Sequence, residues 1–174
     1  MPTLEVAGGA SNAFTTYDST MTVSTVPADG LPPWLKREAA RLDALPPVGE
    51  AAFVRERDVV RDELRLRGGL VPQAAIPMGV RETLLGEHPY GRSVGGTDAT
   101  VRALTLADAE RFHDRYYVGQ NVVLSIVGPH DPRAVFDVVE TAYAGITRGA
   151  VPRPITVPEP SPPRRTRIRG TERG

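Results

Sequence analysis

Cysteine is absent from the 174 residues, which excludes a disulfide framework, thiolate metal sites and a cysteine nucleophile. Lysine is nearly absent too: Lys36 stands alone beside twenty arginines, a bias that says more about coding composition than about function. No apolar run approaches the roughly 18 residues of a membrane-spanning helix, so no membrane association is expected. The first residues lack the basic-then-apolar pattern of a secretory signal, and a cytoplasmic location is expected. Net charge is zero but unevenly placed: residues 1–33 hold Glu5, Asp18 and Asp29 with no base, while residues 149–174 hold six Arg against Glu159 and Glu172. That basic tail carries no aromatic residue and the body has no basic stripe. Phosphate affinity needs clustered positive charge, so nucleic acid is not an expected partner.

What remains is an ordinary globular composition, 40% apolar and 24% charged, long enough for one domain. From Asn12 to Val26 polar and apolar residues roughly alternate, which predicts two strands or one long hairpin. Pro32-Pro33 opens a helix with Leu35, Ala39 and Leu42 as its apolar stripe, and Pro46-Pro47 stops it. A second helix is expected from Glu50 to Arg67, ended by Gly68-Gly69. A looser segment leads to a short helix over Val80–Leu85, then a turn-rich stretch from His88 to Gly96. Thr105 with Asp108 predicts a capped helix through Tyr117. Val122–Val127, ended at Gly128, predicts a buried strand; Asp131-Pro132 predicts a helix to Ala144. Residues 1–150 are thus expected to form an α+β domain, 151–163 a proline-rich linker, and 164–174 a basic tail starting something further.

The second helix is the most informative. On a helical wheel Phe53, Val60 and Leu64 share one arc, while Arg55, Arg57, Asp58, Arg61, Asp62 and Arg65 share the solvated side. Glu56 and Glu63 fall inside the apolar arc, two turns apart on one face. Burying a carboxylate unpartnered costs several kcal/mol, so both need cations or donors. Two accounts stay open at this point: a structural network with Arg67, or a metal or catalytic carboxylate site.

Segment by segment, the chain resembles the insulinase/pitrilysin family of zinc metallopeptidases, which includes the mitochondrial processing peptidases. The resemblance lies in Gly8-Gly9-Ala-Ser-Asn12-Ala-Phe-Thr-Thr-Tyr-Asp18, Leu35-x-x-Glu38-Ala39-x-Arg41-Leu42 and Glu56-Arg57-x-Val59-Val60-x-x-Glu63. It continues through His88-Pro-Tyr-Gly-Arg92 with Gly96-Thr97, Leu104-Thr-Leu with Phe112-His-Asp-Arg-Tyr-Tyr117, and Asn121 leading to Val127-Gly128. Single motifs are weak; the ordered set from about residue 6 to 150 is strong.

The resemblance implies part of an insulinase-type half-unit, an antiparallel-rich sheet with helices on one face. It implies peptide-bond hydrolysis by zinc-activated water in the complete protein. Glu63 is the implied third zinc ligand and Glu56 its companion. Ser11, Asn12, Ala13, Phe14 and Thr15 are the implied edge strand to which a peptide or protein substrate adds. The family's H-x-x-E-H motif, with its two histidine ligands and water-activating Glu, is absent here. His88, His113 and His130 are too dispersed to replace it, and each is expected to be a turn, core-edge or loop residue. The resemblance therefore implies a chain that starts downstream of the catalytic helix, binds no zinc alone and is inactive alone. The alternative is a non-catalytic subunit that partners a catalytic homologue.

Overall fold

The computed structural model describes residues 8–45, 49–69, 72–151 and 156–157, with backbone alone at 67–69 and 72–75. Most of the expected linker and all of the basic tail lie outside these residues. The chain divides into two compact units. The first joins most of an N-terminal hairpin to the helices at 31–43 and from 107 onward; the second comprises the hairpin tip, Thr15–Ser19, with residues 49–106.

Within the first unit, strands β1 (Ala10–Thr15) and β2 (Thr20–Thr25) form the predicted hairpin, a two-stranded antiparallel sheet. Helix α1 (Leu31–Asp43) begins on Pro32-Pro33, where a missing N–H leaves nothing unsatisfied, and buries Leu31, Leu35 and Ala39. These residues repeat every fourth position, so they form one stripe, and α1 packs against α6 (Pro132–Tyr143). Asp131 caps α6, its Oδ1 accepting from the Arg133 N–H at 2.8 Å. Helix α5 (Leu106–Tyr116) turns His113 inward. After α6 the chain returns along the Gly119–Asn121 turn, where Gly119 and Gln120 N–H groups donate to the Thr147 and Arg148 carbonyls. Gly149 lies there at φ +61°, and a Cβ on it would stand 2.4 Å from the Val118 Cβ. Only glycine fits both the angle and the approach.

In the second unit, α2 (Glu50–Gly69) starts where predicted, runs two residues past the expected Arg67, and packs against α3 (Pro72–Leu85) and α4 (Asp98–Ala103). Two corrections apply. Helix α3 starts eight residues before the expected Val80, continuing through Pro77. The six-residue α4 was not foreseen: Thr97 caps it in a reciprocal box with Thr100.

A third correction concerns the first unit. Val122–Val127 does not form the expected buried strand: Val123 and Val127 are 96% and 97% exposed, and no ladder pairs the segment among the described residues. Its residues have strand chemistry, and Val122 has strand dihedrals, φ −120° and ψ 136°. A strand forms only where a neighbour accepts its ladder bonds, and none is placed beside it among the described residues.

Candidate functional site

The closing bond of the hairpin, Thr16 N–H to Ser19 O at 2.8 Å, sets its register. Bonded and non-bonded pairs alternate from there, so Phe14 pairs with Met21 and Asn12 with Val23 through the ladder. Ser11, Ala13 and Thr15 are the non-bonded positions, and their N–H and C=O groups face away from β2. Two observations agree with this register. Ser11 and Ser24 hydroxyls meet across the strands at 2.9 Å, and the Ala13 N–H donates instead to the Asn12 Oδ1 at 2.8 Å. All six residues of β1 are exposed. Among the described residues, the candidate peptide-binding residues Ser11–Thr15 therefore form one strand with an open edge, one of whose donors is covered by its own neighbour's side chain.

The tip of the hairpin is gripped from elsewhere in the second unit. The Tyr17 hydroxyl donates to the Arg92 carbonyl at 3.0 Å, and the Tyr90 hydroxyl donates to Asp18 Oδ1 at 2.5 Å. The two rings lie 5.0 Å apart, and the Arg81 guanidinium stands 4.9 Å from the Tyr17 ring centre. His88 braces Tyr90 twice: its Nδ1 accepts the Tyr90 N–H at 3.1 Å, and its ring meets Tyr90 edge-on. The hydrogen bond to Asp18 holds the Tyr90 phenol above its ordinary pKa, with burial and the carboxylate charge adding. Gly91 completes this turn because a Cβ there would meet the Gly86 carbonyl oxygen at 2.6 Å.

Helix α2 presents a different face from the one its wheel predicts. Glu56 and Glu63 are exposed, as are Val59, Val60 and Leu66, while Arg61, expected in solvent, has a side chain only 17% exposed. The reason is Asp98. Arg61 bridges Asp58 at 2.9 Å and Asp98 at 2.8 Å, and Arg65 joins Asp62 at 2.9 Å and Asp98 at 3.2 Å. Arg57 donates to the Leu104 carbonyl at 3.0 Å, just past the other end of α4. Helix α2 thus holds α4 at both ends through its charged face. The Arg61 hydrogen bond, with the charges of Arg61, Arg65 and Arg102 adding, keeps the Asp98 carboxyl below the usual range against a smaller effect of burial; Arg61 is raised in turn. Arg67, the other candidate partner of the glutamates, has its side chain outside the described residues.

Seven residues of helix separate Glu56 from Glu63, about 10 Å along the axis, too far for both to bind one ion at about 2 Å. Among the described residues no three His, Cys, Asp or Glu side chains gather as a metal site. The residues described do not fit a catalytic zinc, which takes three protein ligands. The histidines serve other ends. His88 holds its turn, His130 lies in a loop, and His113 is more deeply buried than expected, 5% exposed. It stacks on Tyr117 with its Nε2 3.4 Å from the Arg41 carbonyl oxygen.

Helices with a small antiparallel sheet make an α+β fold, consistent with the half-units of similar solved proteases. The comparisons agree. A family model described as the peptidase M16 inactive domain matches residues 103–173. The zinc protease PqqE of Helicobacter pylori is 28% identical over 150 residues, 84% of this chain and 34% of that protein. The crystal structure of a protease from Helicobacter pylori superposes with a TM-score of 0.80 at 27% identity, covering 90% of this chain and 38% of the other. Pitrilysin superposes with a TM-score of 0.72 at 26% identity, covering 89% and 17%. The chain is similar to members of the insulinase/pitrilysin-type M16 family. It spans about a third of the length of the curated relative PqqE.

Proposed function

We propose that this chain is a partial or inactive member of the zinc endopeptidase family that binds extended peptide along β1 and does not hydrolyse it alone. The observation that carries the reading is the open edge at Ser11, Ala13 and Thr15, with every residue of β1 exposed. Strand addition requires only unpaired main-chain groups at ladder spacing, and this edge supplies them. Glu63, with Glu56 two turns earlier on the same helix, is the carboxylate that would join a zinc whose remaining ligands come from outside the described residues. No hydrolytic step is assigned to them, because two carboxylates so far apart cannot hold the ion or activate its water.

The test is a fluorescein-labelled decapeptide of alternating Thr and Val, followed by fluorescence anisotropy. Ala13→Pro removes one outward N–H, leaves the ladder to β2 intact and keeps Asn12 extended. Binding by the parent chain and a loss of about tenfold in Ala13→Pro are expected, the energy of about one hydrogen bond. Equal affinity of the two proteins refutes the edge. One equivalent of zinc retained after dialysis, with chelator-sensitive cleavage of the peptide, refutes the non-hydrolytic assignment.

A further inference from the structure

Strands β1 and β2 bury none of their twelve residues, and a solitary two-stranded hairpin is marginal in water. Its two-residue turn, Tyr17-Asp18, gives little help. No non-glycine residue of the described chain has positive φ, so the turn cannot be of the primed types that match strand twist. What orders the hairpin must therefore come from contacts with distant sequence. Among the described residues, the side-chain hydrogen bonds that reach from the hairpin to distant sequence are both at its tip: Tyr17 to Arg92 and Tyr90 to Asp18.

We infer that Tyr90 and Asp18, braced by Tyr17, Arg81 and His88, are positioning residues that hold the candidate peptide-binding strand at its Thr15 end. The inference rests on the edge-strand reading above for the strand's role, and on the tip geometry alone for the latch. Tyr90 meets Asp18, Tyr17 and His88. It acts through Asp18, inside the turn that the Thr16–Ser19 bond closes, whose carboxylate otherwise stands in solvent. Phenol and carboxylate form a charge-assisted bond, the stronger kind available to exposed groups. On one side of the Tyr17 ring lies Tyr90; the Arg81 guanidinium, 4.9 Å from the ring centre, contributes a cation–π contact. The tip is consequently held by rings, a guanidinium and two hydroxyls, while the strands beyond it are held by each other.

The latch is tested by amide hydrogen exchange on the full chain, read at Asn12 and Phe14, whose N–H groups face β2. Tyr90→Phe and Asp18→Ala each remove the bond and keep most of the packing. Each is expected to speed exchange at these amides by about tenfold, with the amides of α1 and α6 unchanged. Asp18→Asn still offers an oxygen to the phenol and is expected to stay within about twofold of the parent. The double variant is expected to match either single one, since both remove the same bond. Unchanged exchange in Tyr90→Phe overturns the inference. So does an equal rise throughout α1 and α6, which would make the pair a general stabiliser.

Peptide affinity gives the second readout, with the decapeptide above. A weaker affinity in Tyr90→Phe that Asp18→Asn does not reproduce supports positioning; faster hairpin exchange with unaltered affinity overturns it. If the parent chain binds no peptide, the edge-strand reading fails, and the exchange experiment still decides the latch.

Discussion

Replacing Leu35 by alanine removes three carbons from the most enclosed side chain of α1, which is 2% exposed where α1 meets α6. At about 0.8 kcal/mol per buried methylene the transfer loss alone is about 2.4 kcal/mol. The cavity left behind raises the total to about 3–4 kcal/mol, because the surrounding side chains close such a space only partly. Among the described residues the buried apolar set is Leu31, Leu35, Ala39, Val101 and Val118, so few other side chains share the load. A domain of this size has roughly 5–15 kcal/mol in all, and at about 2–4 °C per kcal/mol the melt should fall by about 6–16 °C. Urea denaturation followed by far-UV circular dichroism measures the loss, with an unchanged m-value showing that the unfolding surface is the same. Val123→Ala, in the same unit and 96% exposed, is the control and should shift stability by less than about 0.5 kcal/mol. A Leu35→Ala loss below about 1 kcal/mol, or an equal loss in Val123→Ala, would refute the placement of the core on that stripe.

Three further expectations follow from the same geometry. Asp98 has a lowered carboxyl pKa when folded, so its contribution is complete above the unfolded value of about 3.9 and is lost as pH falls through the folded one; Asp98→Asn should lower stability at pH 7 and flatten the acid limb of a stability profile, and an unaltered limb would show that the Arg61 bridge is inert. Gly149→Ala forces a Cβ to within 2.4 Å of the Val118 Cβ at a positive φ, and a loss of about 1–3 kcal/mol in thermal melts is expected; neutrality would place the segment elsewhere. Asn12→Ala frees the Ala13 N–H and should tighten decapeptide binding severalfold by anisotropy, whereas weaker binding would mean the Asn12 amide itself contacts the peptide.

Helices with an apolar period and a chemical start signal were legible in the sequence: α1 from Pro32-Pro33 and its four-residue stripe, α6 from Asp131-Pro132. The start of α3 was not, because Pro77 and Gly79 lower local propensity and only packing against α2 carries the helix across them. Nor was α4, whose six residues give no period to read. The wheel of α2 located Glu56 and Glu63 but mistook the packed side. Arg57 and Arg61 read as solvated until Asp98 and the Leu104 carbonyl, far along the chain, are brought to them. The edge at Ser11–Thr15 was visible through family resemblance, and its outward register follows only once the Thr16–Ser19 bond is known. Asp18 and Tyr90 stand 72 residues apart, beyond any local pattern, although the His-Pro-Tyr-Gly turn marked one of the two.

The exposed stretch Val122–Val127 has a consequence for how the chain behaves in bulk. Val-Val-Leu-Ser-Ile-Val holds four β-branched residues and neither charge, proline nor glycine, and Val123 and Val127 stand almost wholly in water on the same parity. Six-residue windows of this chemistry are the ones that stack copy upon copy into cross-β fibrils, each backbone finding in the next molecule the ladder partners that it lacks among the described residues. A thioflavin signal that rises with protein concentration is the expected sign of aggregation nucleated from this hexapeptide. A single lysine in place of Val123 would act as a gatekeeper, since like charges stacked 4.8 Å apart repel along the whole length of a growing fibre.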